Sequence, residues 1–239
     1  LPFCLVCGAA QEKPFPRRPD DSRVNILVVL MDDLGWRDLG CYGGRFIETP
    51  AADRLAGQGM RFTDAYAAAP VCSPTRASLL TGQYPGRIGL YEVIQLRDRP
   101  YARLTSPPLA RELPESLATV AEILNRQGYV CGSVGKWHVG RTPVEEGFVP
   151  VAERLNDPEL AALAARSPQK QVGRITAQAL RFLRAHRDRP FLLFVNHHAV
   201  HAPLEARPEL IEKYQAKASR TGLTDIHPTY AAMTEMGDQ

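Results

Sequence analysis

Cys72, Pro74 and Arg76 stand in the run Val71-Cys72-Ser73-Pro74-Thr75-Arg76-Ala77-Ser78-Leu79-Leu80-Thr81-Gly82, and their types and spacing suit the handling of an anion. Ser73 can cap a helix, Pro74 fits a first helical turn, where its missing N–H would be unpaired anyway, and Gly82 fits a left-handed exit. Cys72 is thereby expected at a helix N-terminus, where unpaired N–H groups carry partial positive charge. Arg76, four residues on, shares its face and adds a fixed cation. The residues alone leave two readings open: a low-pKa thiol meeting an anion, or an inert buried thiol.

Three other groups of reactive side chains each follow an apolar run. Asp32 and Asp33 follow Asn25-Ile26-Leu27-Val28-Val29-Leu30. Adjacent carboxylates at the end of a buried strand repel each other and resist desolvation unless a cation lies near them. A turn signalled by Gly35 lets both converge; the plainer reading is a solvated turn. Lys136 and His138 follow Tyr129 to Val134 and, being two apart, share one face if the strand geometry persists; the alternative is a pair of rim residues. His197, His198 and His201 follow Phe191-Leu192-Leu193-Phe194-Val195. Three imidazoles raise the question of zinc, but no Cys or carboxylate of suitable spacing accompanies them.

The apolar, β-branched run before Asp32 and its two counterparts read as strands buried on both faces of a largely parallel sheet. Residues 61–67 are a further strand candidate. Helices are expected from Thr49-Pro50 through Leu55, ended by Gly57 or Gly59; from Ser116, through Leu117, Val120, Ala121 and Leu124, to Gly128; in the Ala- and Leu-rich stretch before Ala165; over Ile175 to Ala185; and over His227 to Gln239. Strand, helix, strand in alternation predicts an α/β sheet whose site lies at the strands' carboxyl ends. Residues 90–114 read as an irregular loop.

Length and composition bound the partners. The chain has 239 residues, 44% of them hydrophobic, and a net charge of only +3 with its arginines scattered. A substantial core is possible, while nucleic acid and anionic membrane are disfavoured, and no segment is long enough to span a bilayer. Residues 1–10 read as the tail of a secretory signal peptide and residues 11–22 as a solvated lead-in, which predicts export. Cys4 and Cys7 fall in that leader. Cys41 and Cys131 are expected as core thiols or a pair.

The pattern Cys-x-Pro-x-Arg, continued through Gly82, resembles the signature of the formylglycine-dependent sulfatases of the alkaline phosphatase superfamily. The likeness extends to Arg61-Phe62-Thr63-Asp64-Ala65-Tyr66 and Tyr84-Pro85-Gly86-Arg87, and Gly135-Lys136-Trp137-His138-Val139-Gly140 resembles the second signature of that family. It implies an α/β fold with a large, mostly parallel or mixed sheet flanked by helices on both faces, truncated at the C-terminus. Residues 23–239 would be the N-terminal portion of the catalytic domain. By the same resemblance, a modification enzyme oxidises Cys72 to formylglycine, whose hydrated aldehyde is the nucleophile, and Asp32, Asp33 and residue 72 bind a divalent cation, calcium or magnesium. Arg76 would help activate one hydroxyl, Lys136 bind the sulfate, His138 hold the second hydroxyl and His201 protonate the leaving group. The family's remaining metal ligands, a second sulfate-binding Lys and a smaller domain lie beyond the matched stretch, so this chain is expected to be a weakly active fragment. The substrate would be an aryl sulfate or a sulfated sugar. Rival readings are a phosphonate or phosphodiester hydrolase of the same superfamily, a thiol enzyme, and a non-catalytic module.

Overall fold

The computed structural model describes residues 23–95, 101–151 and 154–239; the expected leader and lead-in lie outside them. In chain order the elements are β1 (Ile26–Leu30), α1 (Pro50–Gln58), α2 (Cys72–Thr81), α3 (Pro85–Ile88), α4 (Val120–Asn125), β2 (Val130–Gly135), α5 (Pro158–Arg166), α6 (Val172–His186), β3 (Phe191–Asn196), α7 (Pro208–Thr221) and α8 (Pro228–Asp238). The strands form one parallel sheet in the order β1-β3-β2. Leu30 and Gly135 both register with Asn196, so the three carboxyl ends lie level.

The apolar runs explain the layering. All six residues of β3 are buried, as a central strand covered on both faces requires. One face packs Phe191, Leu193 and Val195, with Val130 and Val134 of β2, against Ile175, Ala179 and Phe182 of α6. The other packs Leu192, Phe194 and Cys131 against Ala77 and Leu80 of α2 and Ala121 of α4. A third cluster joins α7 and α8 to Phe46, Ile47, Ala199 and Val200. There the Tyr214 hydroxyl donates to Glu235 at 2.5 Å and accepts from the Glu48 N–H at 3.0 Å.

Several expectations are corrected. β1 is not buried on both faces: Leu27 and Val29 are 51% and 58% exposed, because among the described residues β1 is an edge strand and α6 lies over β2 and β3. Residues 61–67 form no strand; Phe62 and Tyr66 are exposed, and the segment has no ladder partner among the described residues. The helix expected from Ser116 starts at Val120, since Thr119 and Glu122 close a reciprocal capping box there. Ser73 does not cap α2, and Thr49 holds the N-cap position of α1 without a side-chain capping bond. Ser73 lies inside α2 and accepts from the Ile94 N–H, and the first N–H groups of α1 are met by Asp238 instead, at 2.8 Å from both Ala51 and Ala52. α1 also runs past Leu55 to Gln58. Cys41 and Cys131 are not paired; both are free thiols, Cys131 in the sheet and Cys41 beside Asp53.

Candidate active site

Parallel strands deliver whatever follows them to one side of the sheet. Here Asp32 and Asp33 follow β1, Lys136 and His138 follow β2, and the three histidines follow β3. Backbone hydrogen bonds lash these exits together: His197 N to Leu30 O at 2.9 Å, Lys136 N to Asn196 O at 2.8 Å, Asp32 N to Ala199 O at 2.8 Å and Val200 N to Asp32 O at 2.6 Å. α2 brings Cys72 to the same place as its first helical residue.

Asp32 is the electrostatic centre of the group. It is 5% exposed, receives Arg76 Nη2 on Oδ1 at 3.2 Å and takes Lys136 Nζ on Oδ2. Burial pushes its carboxyl up, but the Lys136 ammonium and the Arg76 guanidinium outweigh that and hold it below the usual carboxylate range. Arg76 is itself 4% exposed. Its Nη1 donates to the Lys136 carbonyl at 2.7 Å and to Asn196 Oδ1 at 3.3 Å, and Asn196 in turn donates to Ser133 at 3.2 Å. The recorded bonds of Arg76 therefore run to the strand ends and not to the thiol.

Cys72 is met by His138, whose Nδ1 lies 3.1 Å from Sγ. The side-chain amide oxygen Oε1 of Gln95 contacts Nε2, so that nitrogen carries the proton and Nδ1 is left to accept from the thiol. Burial lowers the His138 pKa and the Lys136 and Arg76 cations lower it further, which keeps the ring neutral. Lys136 and His138 do not share an extended face: β2 ends at Gly135, and His138 adopts a left-handed backbone with φ 64°. Both still reach the group, one through Asp32 and one through Cys72. A non-glycine residue in that region is uncommon and concentrates at functional sites. Asp33 shares the conformation, also at φ 64°.

Asp33 is exposed and stands 3.8 Å from His201 Nε2, while His201 Nδ1 faces the Ala202 carbonyl. His197 is buried, its Nδ1 has no hydrogen-bond partner among the described residues, and burial pushes its pKa down to about 4. That is a neutral packing residue. Among the described residues no three His, Cys, Asp or Glu side chains cluster as a metal would need. Both Asp32 oxygens are engaged by cations and Asp33 looks toward His201, so these side chains do not by themselves fit a metal centre. Gln95, Asn196 and Ser133 had not been singled out from sequence. Asn196 carried a signal, as the polar residue closing a buried run; Gln95, in an irregular loop, carried none.

A parallel α/β sheet with a cysteine, an imidazole, two cations and a carboxylate gathered past its strand ends is suited to holding an anion beside a nucleophile. The Sulfatase family model matches residues 24–239, and the chain belongs to that family. It is 45% identical over 119 residues to N-acetylgalactosamine-6-sulfatase of Homo sapiens, covering 50% of this chain and 22% of that protein. It is 44% identical over 150 residues to human arylsulfatase A, covering 63% of this chain and 26% of the relative. The crystal structure of Ps i-CgsB in complex with k-i-k-neocarrahexaose superposes with a TM-score of 0.67 at 26% identity, over 90% of this chain and 52% of that one. The chain thus spans about a quarter of the curated relatives' length and half of the solved structure.

Proposed function

We propose that the chain is the N-terminal part of a sulfuric ester hydrolase that cleaves sulfate monoesters at residue 72. The observation that carries this reading is the meeting of Cys72, at the start of α2, with His138 at 3.1 Å beside the buried Asp32–Arg76–Lys136 group. Family membership supports it. In this reading Cys72 is converted to formylglycine, whose hydrated aldehyde supplies an oxygen nucleophile and a route back to the resting state. The chain's own residues do the rest. Lys136, released from Asp32, neutralises sulfate oxygens, and Arg76 holds the end of β2 and the Asp32 carboxylate in place. His138 Nδ1 accepts a proton from the group at residue 72. His201, exposed at the rim, gives a proton to the departing alcohol.

In the same reading Asp32, Asp33 and residue 72 would offer oxygen ligands to calcium or magnesium only with Asp32 released from Arg76 and Lys136, which engage both its oxygens here. Export of the protein and action of a formylglycine-generating enzyme on Cys72 belong to the same reading. No helix among the described residues is long and apolar enough to cross a membrane.

Peptide mass spectrometry of residue 72 in protein from the native host tests this directly. An aldehyde or its hydrate is expected, together with sulfate release from a sulfate ester in preference to an aryl phosphodiester or phosphonate. An unmodified thiol favours a second reading, a thiol enzyme, for which the Cys72–His138 contact is the supporting observation; activity lost to iodoacetamide would then be the result to seek.

A further inference from the structure

Lys136, Trp137 and His138 sit in a loop that leaves β2 after Gly135 and returns to it at Val149, whose N–H bonds to the Cys131 carbonyl at 2.8 Å. Residues 136–148 are turns and irregular backbone. An ion pair ties the middle of this loop to its end. Arg141 Nη2 lies 3.0 Å from Glu146 Oε1, and the Glu146 side chain is 1% exposed. The Glu146 backbone is anchored in turn: its carbonyl accepts the buried Thr119 hydroxyl at 2.8 Å, and its N–H bonds to the Pro143 carbonyl at 3.1 Å. The pair reaches the site through Trp137, whose indole N–H donates to the Arg141 carbonyl and whose ring stands edge-on to Phe148 with centroids 5.5 Å apart. Trp137 lies between Lys136 and His138 in the chain, so the two groups that hold its ring limit where both neighbours can point. A second contact of Arg141, with Glu115 at 3.5 Å, adds little because Glu115 is 89% exposed.

A buried pair of this kind is a poor route to stability. Desolvation of the two ions offsets most of their attraction, and apolar side chains of the same volume generally do as well. Burial pushes the Glu146 carboxyl above its usual range, and Arg141 opposes that shift without cancelling it. What the pair does supply is direction. A guanidinium has a fixed fork and a carboxylate two defined oxygens, so one register of the loop satisfies both, and a slipped register leaves a charge buried alone. The apolar packing of Val139 and Phe148, both buried, is non-directional and has no such preference.

We propose that Arg141 and Glu146 are positioning residues: their ion pair holds Trp137, and through it sets the approach of His138 Nδ1 to residue 72 and of Lys136 to Asp32. The inference rests on the hydrolase reading only for what the positioned groups do; the positioning belongs to the loop itself.

Hydrogen exchange and thiol chemistry on the 239-residue chain, produced without the modifying enzyme so that Cys72 keeps its thiol, test it. Glu146→Gln and Arg141→Met remove the charge pair from either side. In both, the Trp137 indole N–H should exchange about fivefold faster, the weight of one hydrogen bond, while the amide of Leu193, fully buried in the central strand, is unchanged. Alkylation of Cys72 by iodoacetamide, read by peptide mass spectrometry, should slow by a similar factor because His138 no longer accepts the thiol proton. Arg141→Lys keeps the charge and should restore both, at least in part. In a His138→Ala background Arg141→Met should have no further effect on alkylation, since the coupling runs through that imidazole. Equal acceleration at Trp137 and Leu193 would reduce the pair to general stability and overturn the inference. So would an unchanged indole, an unchanged Cys72 rate beside a faster indole, or a lysine no better than methionine. Arg141 is the partly exposed member, so if Glu146→Gln fails to fold, the two Arg141 variants decide. Sulfate release enters none of these readings: absence of formylglycine from the native protein would sink the hydrolase reading and leave the positioning result standing.

Discussion

Asp32 meets two cations at once, and that makes it the residue whose loss should be felt most widely. Its carboxyl is depressed in the folded state, so the stabilisation it gives is complete above the ordinary carboxylate value of 3.8 and is lost as the pH falls through the lowered folded-state value. Asp32→Asn should abolish that acid-side step and, near neutrality, cost about 3–5 kcal/mol, because Lys136 and Arg76 are left buried without a counter-charge. Urea midpoints measured from acid to neutral pH check both parts; parallel curves for wild type and variant would count against the assignment. Cys72 invites a different test. On the proposed mechanism a serine at this position keeps an oxygen nucleophile but has no aldehyde to regenerate, so Cys72→Ser should accumulate a protein heavier by one sulfo group after exposure to a sulfate ester. Sustained turnover by that variant would contradict the proposed exit step.

The elements place these residues through a few sharp backbone turns. Gly135 ends β2 with φ 86°, and a Cβ there would fall 1.9 Å from the Asn196 carbonyl oxygen. Gly82 ends α2 with φ 68° and open space around it. Alanine at both positions pays the left-handed penalty, but only at Gly135 must two strand ends separate. Gly82→Ala should therefore cost about 1 kcal/mol, and Gly135→Ala clearly more, with Lys136 displaced from Asp32; thermal or urea unfolding of the pair gives the comparison. The helix exit at Gly82 was legible in sequence because glycine has a local signature. The helix start at Cys72 was legible too, but its capping was not: Val71 occupies the cap position and Ser73 turns to the Ile94 N–H, a contact across 21 residues that no local pattern encodes. Asp238 capping α1 is hidden for the same reason.

At the scale of the molecule, the parallel sheet was legible because β1 and β3 are continuous apolar runs and β2 a largely apolar one, and most of the reactive residues because they follow these strands. Partners supplied by tertiary contact were not, which is why Gln95 and Asn196 emerge only from the fold, and why Arg76 is found gripping strand ends. The apolar run of β1 was misread in one respect: it looks like a strand buried on both faces, yet Leu27 and Val29 stand half-exposed on the side that α6 leaves open. Natural sequences rarely spend β-branched and aliphatic side chains on a solvated strand face, so further sheet packing is expected there in a longer polypeptide. Val29→Lys measures this. In the 239-residue chain the substitution should change stability by no more than about 0.5 kcal/mol, as at an ordinary surface position. In a longer polypeptide that covers the face, the same lysine would be buried without a partner and should cost at least about 2 kcal/mol. Equal effects in the two proteins would mean that β1 is a true edge and that the sheet ends where it does here.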